Sequence, residues 1–285
     1  MGLTYTDVRQ LLVMQREGAS FTRVLTVGRL SLFLHRGEIV ALRKEFGVDR
    51  ALEGVTFGGY ADPFLREALQ IESLDSLDAS SYEGATVVHD LNVPIDERLH
   101  EQYDVVIDGG SLEHVFNITT ALANVMKLVR VGGQLLLVNP ANNLCGHGFY
   151  QLSPELAFSV FRDEHGFELR RVALVEARFP NVEASAGRLV LDVRDPREVG
   201  RRVLRLSCRP GSLMVQARKT RHLADPFAVT PQQSDYVAHW QSGRPPLLDA
   251  SRRPPWLARG AAYLVAVREL ALASRYNRRV YARSR

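Results

Sequence analysis

Apolar positions along the chain fall into short runs separated by stretches of helical periodicity. Val8, Leu11, Leu12 and Met14 recur at helical spacing between Tyr5 and Gly18 and predict a first helix closed by the glycine. The run from Arg23 to Gly28 predicts a buried strand. Residues 38–46 read as a helix stopped by Gly47, and residues 63–70 as a shorter helical segment leading into a weaker strand over 71–78. Residues 85–90 and 103–108 are rich in β-branched side chains, and each run ends in a carboxylate. After Asp108 the chain turns through Gly109 and Gly110 into a helix over 117–130. Gly132 and Gly133 break it, and Gln-Leu-Leu-Leu-Val at 134–138 is the strongest strand pattern in the chain. Ser153 followed by Pro154 opens another helix, with an N-cap side chain and a proline in the first turn. Residues 168–176 and 212–218 predict two last strands around a charged, irregular insert.

Seven hydrophobic strands alternating with helices predict an α/β fold with a doubly wound, mostly parallel seven-stranded sheet covered on both faces. That domain is expected to span residues 1–220, with an extension over 221–285. Prolines 245, 246, 254 and 255 mark a linker in the extension. Beyond it, residues 257–281 predict an amphipathic helix, with Tyr263, Leu264, Val267, Leu270 and Leu272 on its apolar side. Arg259, Arg268, Arg275, Arg278 and Arg279 lie on the other side.

Composition narrows the functional classes. Hydrophobic residues make up 46% and charged residues 24%, ordinary values for a folded globular chain. No apolar run approaches the roughly 20 residues of a membrane-spanning helix. Asp7, Arg9, Arg16 and Glu17 leave no signal-peptide core near the start, so a cytoplasmic location is expected. Cys145 and Cys208 match no metal or redox spacing. The formal charge of +4 is unevenly placed: from Arg244 onward ten Arg face only Asp249 and Glu269, so the rest of the chain is mildly acidic. That argues against a nucleic-acid-binding face on the main domain. The basic helix is expected to pack on its own domain or on a second copy of the chain; an anionic surface is the other reading.

Asp78, Asp90 and Asp108 all end predicted strands, and in a parallel sheet those ends share one rim, where ligands bind. A carboxylate after the second strand can accept both hydroxyl protons of a ribose, and a polar group after the third can meet an adenine amine. Strand-end Asp residues also cap turns, which is the plainer alternative.

At these residues the chain resembles the class I S-adenosylmethionine-dependent methyltransferases, over about residues 20–180. Val24 to Gly28 resembles their first strand and its glycine, and Ser76-Leu-Asp78-Ala-Ser80 the second strand with its ribose-binding acid. Thr86 to Leu91 resembles the adenine-contacting step. Tyr103-Asp-Val-Val-Ile-Asp108-Gly-Gly-Ser-Leu-Glu113-His114 resembles the fourth strand and the Glu-His pair after it, and Leu128 to Val138 the two glycines before strand five. The resemblance implies a Rossmann-like methyltransferase fold and S-adenosyl-L-methionine as cofactor, with Gly28, Asp78, Asp90, Leu91 and Asp108 around it. It implies transfer of a methyl group to an oxygen or nitrogen of a small polar molecule, sugar-related or a natural product.

The chain departs from that pattern where the family carries Gly-x-Gly after strand one. Here the loop reads Gly28-Arg29-Leu30-Ser31, with side chains in place of a glycine. The departure supports two other readings: a degenerate domain that binds a ligand or partner without methyl transfer, or a fold reused for non-methyl chemistry. Residues 80–84 are also too few for the helix expected between strands two and three. Glu113 and His114 are candidates to orient or deprotonate the acceptor, because an imidazole titrates near neutral pH. The polar, glycine-rich loop after strand five adds His147 and Tyr150 to that set. No metal-ligand spacing appears among the His, Asp and Cys residues, so no metal is expected from sequence.

Overall fold

The computed structural model describes residues 2–178, 182–199, 202–234, 236–237 and 240, with 263–264, 267–268, 277 and 280–283. The chain begins with β1 (Gly2–Thr4), α1 (Tyr5–Arg16), β2 (Arg23–Val27), β3 (Ser31–Phe33), α2 (Arg36–Phe46), β4 (Gly59–Tyr60), α3 (Asp62–Leu69), β5 (Ser73–Asp78) and β6 (Val87–Val88). It continues with β7 (Tyr103–Asp108), α4 (Ile118–Leu128), β8 (Val129–Asn142), α5 (Pro154–Val160), β9 (Phe167–Glu176), β10 (Leu189–Val193), α6 (Pro196–Val199), β11 (Gly211–Lys219) and β12 (Tyr281–Arg283).

One large sheet runs in the order β12-β10-β9-β11-β8-β7-β2-β5-β6. The strands from β8 to β6 are mutually parallel; β11 is antiparallel to both of its neighbours, β8 and β9. Side chains on the central strands alternate between two buried layers, as a strand's period of two requires. Leu25, Val27, Val106, Leu135 and Leu137 face one layer with Leu122, Val125 and Met126 of α4 and Phe158 of α5. Val24, Val105, Ile107 and Leu136 face the other, with Val8, Leu11 and Leu12 of α1 and Phe64 and Leu65 of α3. Both faces are dry, which explains why these strands read as continuous apolar runs.

Four features correct the sequence expectations. The sheet has nine strands rather than seven, because β10 forms inside the charged insert and β12 pairs antiparallel with β10. The C-terminal helix expected over 257–281 lies mostly outside the described residues; 263–264 and 267–268 within it are helical, and its end is corrected, because Tyr281 is buried in β12. Tyr263, Leu264 and Val267 are exposed. Gly132 and Gly133 do not end a helix before a strand; β8 runs through them. A Cβ on Gly133 would lie 2.6 Å from the Asp104 carbonyl oxygen, so glycine here permits a bulged, close approach to β7. The fourth feature is a separate three-stranded sheet, β1-β3-β4, laid over the C-terminal rim.

That small sheet positions everything that follows. β1 pairs in parallel with β3, and the Gly2 N–H donates to the Gly109 carbonyl (3.0 Å) just past the end of β7. Thr4 then starts α1, its backbone N–H and its hydroxyl both donating to the Asp7 carboxylate (2.8 and 2.7 Å).

Candidate functional site

In a doubly wound sheet the ligand crevice lies where strand order reverses. Here β2 has β5 on one side and β7 on the other, so the reversal falls between the C-terminal ends of β2 and β7. Gly28, Asp78 and Asp108 end adjacent strands at that rim, and the Asp78 carbonyl accepts from His89 N–H (2.8 Å), which brings Asp90 and Leu91 beside them. Gly28 adopts φ +73°, a left-handed turn that glycine enters without strain, and its N–H donates to the Leu77 carbonyl (2.7 Å).

The individual groups on the rim differ. The Asp78 carboxylate is partly exposed, with one oxygen accepting from Ser80 N–H (3.3 Å). Asp90 is exposed and folds back on Asn92, whose backbone and amide donate to the same oxygen (2.9 and 2.8 Å); those bonds hold its carboxyl below the usual range. Leu91 is buried in the core beside α4. Asp108 departs from the expected role. It is fully buried, with one oxygen accepting from Ser111 N–H (2.8 Å) and the other from the Asn139 amide (2.6 Å), so it faces inward rather than toward a nucleoside. Burial, and then the nearby Glu113, push its carboxyl up to about 7.

The altered loop after β2 is packed in place. Leu30 is buried and covers Gly109, where a Cβ would come within 3.0 Å of a Leu30 methyl. The Arg29 guanidinium lies 3.7 Å above the Tyr60 ring and donates to Asp62 (3.1 Å) and to the Glu83 carbonyl (3.3 Å). No helix forms between β5 and β6, as the short spacing predicts.

A cavity of about 470 Å³ opens on the far side of Gly109, beyond the ends of β7, β8 and β9. Gly2 and Thr4 of β1 form one wall; Glu113, Asn139 and His147 line another. Here the polar groups singled out from sequence come together. Glu113 sits in a single helical turn after β7 and is fully buried, one oxygen accepting from the Asn139 amide (3.1 Å). Its other oxygen has no hydrogen-bond donor among the described residues; the Nε2 atoms of His147 and His114 lie 3.5 and 3.8 Å from it. Both imidazoles are about half exposed.

The His147 loop is stitched to this turn. The Glu113 carbonyl accepts from the N–H groups of Phe149 (2.8 Å) and Tyr150 (3.3 Å). Gly148 passes so close that a Cβ there would lie 2.8 Å from the same carbonyl oxygen. Tyr150 does not face the cavity: its hydroxyl donates to the Phe116 carbonyl (2.6 Å) and braces the loop. Asn139 is the residue that sequence reasoning passed over. It lies near the end of β8, and its pairing with two carboxylates 31 and 26 residues away has no local signal.

No protein-family model matches the chain, and no curated protein does. Among solved structures it is similar to the N-methyltransferase NodS of Bradyrhizobium japonicum WM9 in complex with S-adenosyl-L-homocysteine. The identity is 12% over 75% of this chain and 85% of that one, with a TM-score of 0.39. It is similar to the 1,6-didemethyltoxoflavin-N1-methyltransferase of Burkholderia thailandensis, at 15% identity over 75% and 78% and a TM-score of 0.37. A Bacillus halodurans C-125 protein carrying a provisional methyltransferase name has 12% identity over 76% and 100%, with a TM-score of 0.38. The strand order supplies the fold independently: the chain moves outward from β2 through β5 to β6, then returns to β7 and β8 on the other side. The chain has a doubly wound, Rossmann-like α/β fold, with two antiparallel strands added at one edge.

Proposed function

We propose that this protein is an S-adenosylmethionine-dependent methyltransferase that modifies an oxygen or nitrogen of a small polar molecule, of sugar-related or natural-product type. The observation that carries the reading is the cavity beside the strand-order switch, walled by the buried Glu113 carboxylate and by His147. A cavity of this size suits a small molecule.

The residues at the rim fit the nucleoside half of the cofactor better than its methionine half. Asp78 presents a partly exposed carboxylate suited to the ribose hydroxyls beside the glycine turn at Gly28, and Asp90 is the exposed candidate for the adenine side, whereas Leu91 lies in the core. Leu30, lying on Gly109, takes up space on the methionine side. When bound, S-adenosylmethionine supplies an electrophilic methyl group. The protein's part is to align the acceptor and take its proton, and alignment is the larger contribution. His147 on the cavity wall is the candidate to accept that proton, with His114 beside it and Glu113 to stabilise the imidazolium that results.

A second reading, a domain that binds a ligand without methyl transfer, is favoured by Leu30 on Gly109 and by the threefold anchoring of Arg29. Calorimetric titration of folded protein with S-adenosylhomocysteine separates the two. The first reading expects one-site binding that weakens at least tenfold in Asp78→Ala. Absence of heat from protein shown to be folded by circular dichroism overturns it and leaves the second.

A further inference from the structure

Glu113 carries an electrostatic burden that its hydrogen bonds do not discharge. It is fully buried, and among the described residues its Oε1 has no donor, which is costly for a carboxylate oxygen removed from water. A second buried carboxyl, Asp108, shares the same Asn139 amide. Among the described residues, the ion contacts of Glu113 are His114 and His147 alone. Two carboxyl groups around one amide leave a locus that attracts positive charge.

Both imidazoles aim Nε2 at that same oxygen, and the three donor atoms all lie within 4.8 Å of one another. An ion bound at about 2.1 Å places neighbouring ligands roughly 3.0 Å apart in octahedral geometry and roughly 3.4 Å apart in tetrahedral geometry. The Glu113 distances of 3.5 and 3.8 Å therefore close by about 0.1–0.4 Å for tetrahedral ligation and by about 0.5–0.8 Å for octahedral. The half-exposed imidazoles can supply this by rotation, while Asn139 holds the carboxylate. The close pass of Gly148, together with the Phe149 and Tyr150 bonds to the Glu113 carbonyl, fixes the loop that delivers His147.

We propose that Glu113, His114 and His147 form a binding site for a divalent first-row transition ion, with open coordination positions on the cavity side. Two imidazoles and one carboxylate are the ligand chemistry of zinc, iron(II) and manganese(II) sites rather than of magnesium or calcium sites, which take oxygen ligands. Glu113 and His147 also line the cavity, so a bound ion stands where a cavity ligand's oxygen or nitrogen could complete its coordination. The site stands on its own geometry and does not depend on methyl transfer.

The test uses tag-free, chelator-treated full-length protein titrated with Co²⁺ alone, followed by visible absorption and calorimetry, with Zn²⁺ as competitor. The expected result is saturable 1:1 binding with ligand-field bands that Zn²⁺ abolishes. His114→Ala and His147→Ala should each weaken binding at least tenfold, while His222→Ala, on a distant exposed residue, leaves it unchanged. Both histidines are half exposed, so these variants keep the fold, as circular dichroism checks. Absence of saturable binding to folded wild type overturns the proposal, and so does binding that survives unchanged in both variants. Neither result bears on whether S-adenosylhomocysteine binds.

Discussion

Lys219, the last residue of β11, reaches from the sheet to the C-terminal end of α4. Its buried ammonium donates to the carbonyls of Met126 (3.0 Å) and Val129 (2.9 Å) and pairs with Glu101 (3.1 Å). The Glu101 backbone N–H donates to the Lys127 carbonyl (2.8 Å) at the same helix end. A helix leaves its last carbonyls without internal partners, and a glycine in the left-handed conformation often serves them. Here α4 passes directly into β8 through Val129 in extended conformation, so the clasp of Lys219 and Glu101 takes that role. Lys219→Met keeps the length and apolar stem but removes the charged donors. Each lost charge-assisted bond to a buried carbonyl is worth about 1.5–3 kcal/mol gross. Relief of the ammonium's desolvation, which already lowers the Lys219 pKa, offsets part of that. Glu101 retains His222 as a partner (2.9 Å). The net expectation is a loss of about 2–4 kcal/mol. Urea unfolding followed by circular dichroism measures it, with an unchanged m-value as the control for a changed unfolded state. A loss below about 0.5 kcal/mol at constant m would refute the clasp.

Two further outcomes follow from the same reasoning. Leu30→Ala should cost about 2–4 kcal/mol in urea unfolding, as a buried large-to-small change. It should also tighten S-adenosylhomocysteine binding by uncovering Gly109, and a tenfold loss of affinity would show that Leu30 belongs to the ligand's seat. Glu101 titrates with a definite sign. Burial raises its pKa, but hydrogen bonds from His222 and Lys219 outweigh that and leave it below the ordinary 4.5. A depressed carboxyl stabilises the fold above its unfolded pKa and loses that contribution as pH falls through its native value. The stability gap between wild type and Glu101→Gln should therefore be widest near neutrality and close below pH 4.5; a gap that widens in acid contradicts the assignment.

The central strands were legible because both faces of the sheet are buried. β2, β7 and the middle of β8 each show the uninterrupted apolar run that such burial demands. β6 was overread: of residues 85–90 only Val87 and Val88 form a strand, because Thr86 turns its hydroxyl to Asp75 (2.9 Å) and Asp90 closes a turn on Asn92. β1, β3 and β4 span only two or three residues each, too few for a period to register, and β10 and β12 pair across nearly ninety residues. Within the site, Glu113 and His147 could be singled out one at a time. Their convergence depends on the Gly148 crossing, a long-range contact that no window of sequence displays. Asp108 misled for a related reason: position at a strand end specifies the rim but not whether the carboxylate turns outward or in.

The small sheet has a bearing on how the cavity is assembled. Gly2 and Thr4 wall the cavity, yet Gly2 is held by Gly109, about a hundred residues later. β1 finds its strand partner in β3, but the wall it builds joins the large sheet through this contact of long sequence separation, the kind of contact whose closure is slow in folding. The cavity's wall therefore depends on docking of the small sheet onto the large one, not on either sheet alone.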